Sequence, residues 1–267
     1  MAVPETGNTR AGTDDDAEYQ RQLALFSACS TEKGIELIKV GMVIQTLPKR
    51  ERFLDIGAGG GHLTIPIAQQ FGMTAVVEPN IRQADILRRR CPGFQVYNGC
   101  WMEVDLHDEP FDLILCSHVL YYIPEGTWMQ TVEKMYHHLS PGGCLVIVMQ
   151  SPLGEVADFF NSFARYDVPV LDLARDVIDR YGDDAVMLQY FQNEIFSESL
   201  DDMVQIGLFL LIDRTFSARA GEIAEYFKDH QNDTGGYQIK QDEILLVIRK
   251  CADRDDPAGQ RRPRQGA

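Results

Sequence analysis

The chain has 267 residues, 45% of them hydrophobic, and a formal net charge of −15 from 25 basic and 40 acidic side chains. That supplies apolar material for one large core, yet no apolar run approaches the roughly 20 residues needed to cross a bilayer. A surface this acidic repels phosphate backbones, which argues against nucleic acid as a partner, whereas a cationic small molecule suits the sign.

Residues 1–18 are polar and rich in Gly, Asp and Thr, and 252–267 have the same character, so both tails are expected to be disordered. The N-terminus lacks the basic start and apolar stretch of a secretory signal. Six scattered cysteines with no CxxC pair suggest reduced thiols. A soluble, cytoplasmic protein is expected, with no membrane partner.

From Tyr19 the pattern turns helical, with Leu23 and Phe26, then Ile35, Leu37, Ile38 and Val43 at three- and four-residue spacings. A break at SACSTEKG separates two short helices. RFLDIG reads as a strand and HLTIPIAQQFG as a helix with Leu63, Ile67 and Phe71 on one face and Gly72 as its stop. TAVVEP is the next strand, and NIRQADILRRRCPG is a helix closed by Cys-Pro-Gly. FQVYNG, FDLILCSH and CLVIVMQ read as further strands, with GTWMQTVEKMYHHLSPGG as the helix before the last. This alternation predicts a parallel sheet covered on both faces. Residues 152–182 look helical, 186–196 alternate like a strand, two helices follow at about 199–212 and 217–230, and DEILLVIRK closes the pattern. The organisation expected is one α/β domain over 19–251. In it 19–48 form an N-terminal helical lid, 49–150 the core, 151–235 auxiliary helices and a strand, and 236–251 the last strand.

The stretch LDIGAGGGH holds the most specific signal. Gly57, Gly59 and Gly61 follow a strand and precede a helix, so bare backbone and unpaired helix N–H groups lie at the carboxyl edge of the sheet, where ligands bind in open α/β folds. Glu78 ends the next strand 21 positions after Gly57, where a carboxylate can accept both hydroxyls of a ribose. The alternative is a tight turn with an exposed strand-end acid. The order of Asp55, glycine turn and distal acid favours a nucleoside cofactor.

The stretches FLDIGAGGG, VVEPN, FDLILCSHVLYYI and LSPGGCLVI together resemble the successive motifs of class I S-adenosylmethionine-dependent methyltransferases. The resemblance covers about residues 50–150 and the final strands. It implies a Rossmann-like fold: a mostly parallel seven-stranded sheet with an antiparallel last strand, and added helices forming a substrate lid. It also implies S-adenosyl-L-methionine as cofactor, held by Asp55, Gly57, Gly59, Gly61, Glu78, Pro79, Cys100, Trp101 and Ser117. Many members carry an acid that bonds the adenine amino group where this chain has Cys100 and Trp101. Trp101 is read either as stacking on adenine or as core.

Within that class, FSACSTEKG, HVLYYI and GEVADFF resemble the histamine N-methyltransferase type. By this resemblance Glu32 holds a substrate ammonium, His118 touches an imidazole where histamine enzymes have glutamine, Tyr121 and Tyr122 line the pocket, and Phe159 forms an aromatic wall. Candidate catalytic residues are His118, Glu32 and Tyr121, with no metal. Each also has a plain structural reading: a hydrogen-bonded loop histidine, a helix-start carboxylate, and core aromatics. The function expected is methyl transfer to a nitrogen of a small amine or imidazole-type metabolite. Methyl transfer needs an aligned nucleophile and a dry site, with no covalent enzyme intermediate. CSHVLYY lacks the Pro-Pro-aromatic motif of nucleobase amino-methyltransferases, and the sequence offers no evident carboxylate cluster for a divalent cation. The alternatives are an O-methyltransferase of secondary metabolism with His118 as base, and a cofactor-binding protein that transfers nothing.

Overall fold

The computed structural model describes residues 13–107, 109–164, 168–211 and 218–251. The C-terminal tail and residues 1–12 lie outside that set. Helix α1 (Thr13–Cys29) takes in residues 13–18, which the sequence reading had assigned to the tail. Along the chain follow α2 (Glu32–Ile44), β1 (Arg52–Ile56), α3 (Thr64–Ala68), β2 (Met73–Val77), α4 (Ile81–Arg90), β3 (Gln95–Tyr97) and β4 (Phe111–Ser117). Then come α5 (Trp128–His137), β5 (Leu139–Gln150), α6 (Glu155–Phe163), α7 (Val170–Tyr181), β6 (Val186–Ser197), α8 (Leu200–Leu210), α9 (Ala220–Lys228) and β7 (Tyr237–Arg249).

Among the described residues the strands form one seven-stranded sheet in the order β3-β2-β1-β4-β5-β7-β6. It is parallel from β3 through β5, and the last strand runs antiparallel. This is the Rossmann-like sheet that the motifs imply. Strands β1 and β4 lie in its middle and read as near-continuous apolar runs, as strands covered on both faces must. From β1 the chain builds outward to β2 and β3, then returns to the other side of β1 as β4. The strand order therefore reverses between β1 and β4, and the crevice beyond their carboxyl ends is where open α/β sheets bind ligands.

By its contacts the chain divides into two compact units. One draws on 40–148, 171–189 and 245 onward, and holds β1 to β4, most of β5 and the helices among them. Its entry into β1 is fixed by Asp112, whose Oδ2 accepts from the backbone N–H groups of Glu51 and Arg52 at 2.7 and 3.1 Å. The other unit draws on 1–39, 149–170 and 190–244. Its core gathers Phe26, Phe159, Phe160, Ile195, Met203, Ile206, Ile223, Phe227 and Ile239.

Several boundaries differ from the sequence reading. Helix α3 ends at Ala68, well before Gly72. The stretch SPGG belongs to a strand rather than to a helix end, because β5 starts at Leu139 and pairs with Phe111 across a register shift. The Ser140 hydroxyl donates to Asp112 Oδ1 at 2.6 Å and holds that irregular segment in place. Gly154, with φ +97°, opens α6, and the helical stretch after it resolves into α6 and α7.

Candidate active site

The turn after β1 is the centre of the unit that carries β1 to β4. Gly57, Gly59 and Gly61 have φ of +72°, +51° and +82°, the left-handed region in which a side chain is strained. The three are bare for different reasons. A Cβ on Gly57 would stand 2.4 Å from Val119 Cγ2, and one on Gly61 would stand 2.7 Å from Leu87 Cδ2. Those two glycines admit the chain's own packing. A Cβ on Gly59 would meet nothing within 4 Å, so this glycine keeps an open cradle bare.

Glu78 closes the cradle. It is buried at the end of β2, with Oε2 accepting from Gly59 N and Oε1 from Asn80 N, each at 2.8 Å. Burial raises its pKa, opposed by the hydrogen bonds from Asn80 and Gly59. An ionised carboxylate has about four lone-pair sites. One backbone donor on each oxygen leaves each able to accept a hydroxyl, which is the geometry a ribose diol requires. Asn80 also caps α4, its Oδ1 accepting from Arg82 N at 3.0 Å.

Asp55 is buried at the end of β1. Its Oδ2 accepts from the Thr64 hydroxyl at 2.6 Å in a buried bond that ties the end of β1 to the start of α3 and so fixes the turn between them. Thr64 went unread in the sequence, although a hydroxyl nine residues after a strand-end Asp carries that signal. Beside Asp55, burial and its charge push the Cys116 thiol well above the usual range, so Cys116 is an inert core residue. Pro79 is exposed, and Cys100 is exposed beyond β3. Trp101 packs in the core, its Nε1 donating to Thr131 O at 3.3 Å and Lys134 Nζ lying 4.5 Å from its ring centroid.

Ser117 ends β4, and His118 follows with φ +55°, a conformation that costs a non-glycine residue about 1–2 kcal/mol. The strain is held by a backbone bond from His118 N to Val148 O at 2.9 Å. It sets the imidazole near Tyr121, with Nδ1 3.3 Å from the hydroxyl. Tyr121 is half-buried and Tyr122 is 60% exposed, so the adjacent tyrosines face different surroundings. Glycine cradle, Glu78, Ser117, His118 and Tyr121 all belong to this one unit.

Glu32 and Phe159 belong to the other unit. Phe159 is fully buried among Phe163, Tyr226 and Phe227, with ring centroids at 5.0, 5.3 and 5.4 Å. Glu32 is buried in the first turn of α2, with Lys33 Nζ 2.6 Å from Oε1 and Gln241 Nε2 3.0 Å from Oε2. Each of its oxygens thus already has one partner.

A Rossmann-like sheet with a glycine turn after β1 and a buried carboxylate after β2 at its switch point is an arrangement suited to a nucleoside. A family model described as "Methyltransferase domain" matches residues 24–195, more than half of the chain, and the chain belongs to that family. Its curated relatives include a trans-aconitate 2-methyltransferase of Rhizobium leguminosarum, 29% identical over 114 residues, covering 41% of this chain and 42% of the relative. Another is a demethylmenaquinone methyltransferase of Listeria welshimeri, 24% identical over 159 residues, covering 54% and 64%. The chain thus spans about half the length of the curated relatives it matches. Among solved structures, the YcgJ protein of Bacillus subtilis is similar, with a TM-score of 0.56 at 16% identity over 79% of this chain and 97% of that one. That likeness shows the fold alone. Among the described residues, no helix is long and apolar enough to cross a membrane.

Proposed function

We propose that the protein methylates a nitrogen of a small amine or imidazole-type metabolite. The observation that carries the reading is His118. A strained histidine at the carboxyl end of a central strand, oriented by a tyrosine hydroxyl, is a group held for contact with a ligand rather than for packing. When bound, S-adenosyl-L-methionine supplies a methyl group already activated as a sulfonium. The Gly59 backbone and Glu78 hold its nucleoside portion, and the short strand-to-helix turn keeps that portion at the crevice.

An amine must be neutral to attack. With Nδ1 of His118 engaged by Tyr121, the imidazole is left to take the acceptor's proton at Nε2. The sign of the net charge favours a cationic acceptor. Ser30-Thr31-Glu32 and Leu120-Tyr121-Tyr122 resemble the histamine N-methyltransferase type, which supports a nitrogen acceptor of this size without specifying histamine. Incubation with methyl-labelled S-adenosylmethionine and a panel of imidazoles, aliphatic amines and phenols tests the reading. Label is expected on nitrogen. Label confined to phenolic oxygen or to carboxylates overturns it.

A further inference from the structure

The unit that contains α2 and the outer parts of β6 and β7 buries an acidic cluster that the sequence gave no reason to expect. Glu32 and Glu36 lie one turn apart on α2 and so share a face. Gln241 and Glu243 alternate onto one face of β7. Glu36 and Glu243 are fully buried, and Glu32 nearly so at 4% exposure. One oxygen from each of these three carboxylates lies within 4.8 Å of those of the other two. The start of α2 is fixed against β6 by Thr31, whose N–H donates to Glu194 O at 2.9 Å while its hydroxyl accepts from Glu194 N at 2.9 Å.

A second observation points to a ligand. Gln241 is 3% exposed and its amide lies inside the cluster, with Nε2 3.0 Å from Glu32 Oε2 and 3.3 Å from Glu243 Oε1. Its carbonyl oxygen, Oε1, has no hydrogen-bond partner. An unpaired buried amide oxygen costs about 1–3 kcal/mol unless something coordinates it. Asn193 on β6, likewise buried, has neither amide atom paired. Its neighbour Gln192 donates from Nε2 to Asp242 Oδ1 at 3.0 Å, which ties β6 to β7.

We propose that Glu32, Glu36 and Glu243, with the Gln241 amide turned so that its carbonyl oxygen takes the place Nε2 has beside Glu32 and Glu243, bind one divalent metal ion of the hard, oxygen-seeking kind. Charge and size select that occupant. Three carboxylates carry three negative charges and Lys33, at 2.6 Å from Glu32 Oε1 and 3.1 Å from Glu36 Oε2, offsets one. A divalent ion brings the group to neutrality, whereas a single alkylammonium leaves it short by one charge. Opposed oxygens about a magnesium- or calcium-sized ion stand about 4–5 Å apart, which matches the span observed. Within this unit the donors are oxygen, the kind that magnesium, calcium and manganese prefer.

The test titrates the full-length protein, stripped with chelator, with manganese(II) chloride and follows the resonance of the unbound ion. One equivalent per chain is expected to bind. Glu36→Gln and Glu243→Gln should each weaken it at least tenfold. Gln241→Met, which keeps length and removes the carbonyl, should weaken it several-fold and serves where the acidic variants fail to fold. Circular dichroism checks the fold, and S-adenosylhomocysteine affinity should stay within threefold in each variant. Absence of a saturable manganese site overturns the proposal, as does manganese binding that all three substitutions leave unchanged. A parallel titration with 1,3-diaminopropane that binds, with manganese failing to, assigns the cluster to an organic cation and also overturns it. The readout is a metal equivalent rather than turnover, so its failure is distinct from failure of the nitrogen-acceptor reading.

Discussion

Replacing Glu78 with alanine removes the acceptor on which the cofactor seat depends. In the free protein the carboxylate takes one backbone donor on each oxygen at 2.8 Å, from Gly59 and Asn80. A bound ribose adds up to two hydroxyls. Hydrogen bonds to a charged acceptor are worth about 1.5–3 kcal/mol each. Loss of the pair, discounted because such contributions do not add, weakens binding by about 3 kcal/mol, or roughly a hundredfold. Calorimetry with S-adenosylhomocysteine measures this directly. Glu78→Gln, which retains one acceptor oxygen, is expected to fall between wild type and alanine. Burial raises the Glu78 pKa, so the folded protein holds that proton to higher pH than an ordinary glutamate does. The unfolded chain binds fewer protons across that interval, and the residue's contribution to stability declines as pH rises from the ordinary value through the raised one. Cofactor affinity runs the opposite way, since only the ionised form accepts both hydroxyls. Affinity of the wild type should therefore drop as pH is lowered through the raised pKa, while that of Glu78→Gln stays level. A dissociation constant within threefold of wild type in a folded Glu78→Ala protein refutes the assignment.

Thr64→Val strips the donor from buried Asp55 at 2.6 Å and should lower stability by about 1.5–3 kcal/mol in urea unfolding, with Thr64→Ser close to wild type. His118→Asn keeps a residue that tolerates the left-handed backbone at φ +55°, so the melting temperature should hold. Methyl transfer should fall by about 10²-fold or more, because a positioned proton acceptor contributes that much; an unchanged rate would make His118 a loop residue. Lys33→Met removes the ammonium that pairs with buried Glu32 and Glu36 and should cost about 3–5 kcal/mol by denaturant titration. The folded-state pKa of Lys33 is raised, so its contribution is complete below the ordinary lysine value and disappears only as pH climbs through the raised one. The destabilisation should accordingly be the same at pH values of about 6 and about 9. A difference that shrinks by half over that interval would show that Lys33 is not the cluster's counter-ion.

The parts of the fold that were legible in the sequence are those where local chemistry and tertiary position agree. Buried runs such as FDLILCS can only be central strands, and a glycine turn with an acid one strand later carries its own geometry. Boundaries were legible only where a local stop existed. Gly72 looked like the end of α3, but the helix frays earlier, and SPGG was drawn into β5 by pairing with Phe111 and by the bond from Ser140 to Asp112, neither of which is local. The reason each glycine is bare was also illegible, because Val119 and Leu87 approach Gly57 and Gly61 from distant elements. Glu78 was readable from spacing, whereas the support that Thr64 gives Asp55 was not, since a threonine inside an apolar helix reads as neutral. The acidic cluster lay beyond sequence reasoning altogether: its members are separated by some two hundred positions, and only the fold brings Glu243 beside Glu32 and Glu36.

The central claim is that the turn from Gly57 to Gly61 and the acid at Glu78 together seat the nucleoside of S-adenosylmethionine. Amide hydrogen exchange, measured with and without S-adenosylhomocysteine, tests it most directly. Slowed exchange is expected at residues 57–64 and 78–81, and the effect should vanish in Glu78→Ala. Saturating ligand that leaves both segments exchanging at their original rates would contradict the account.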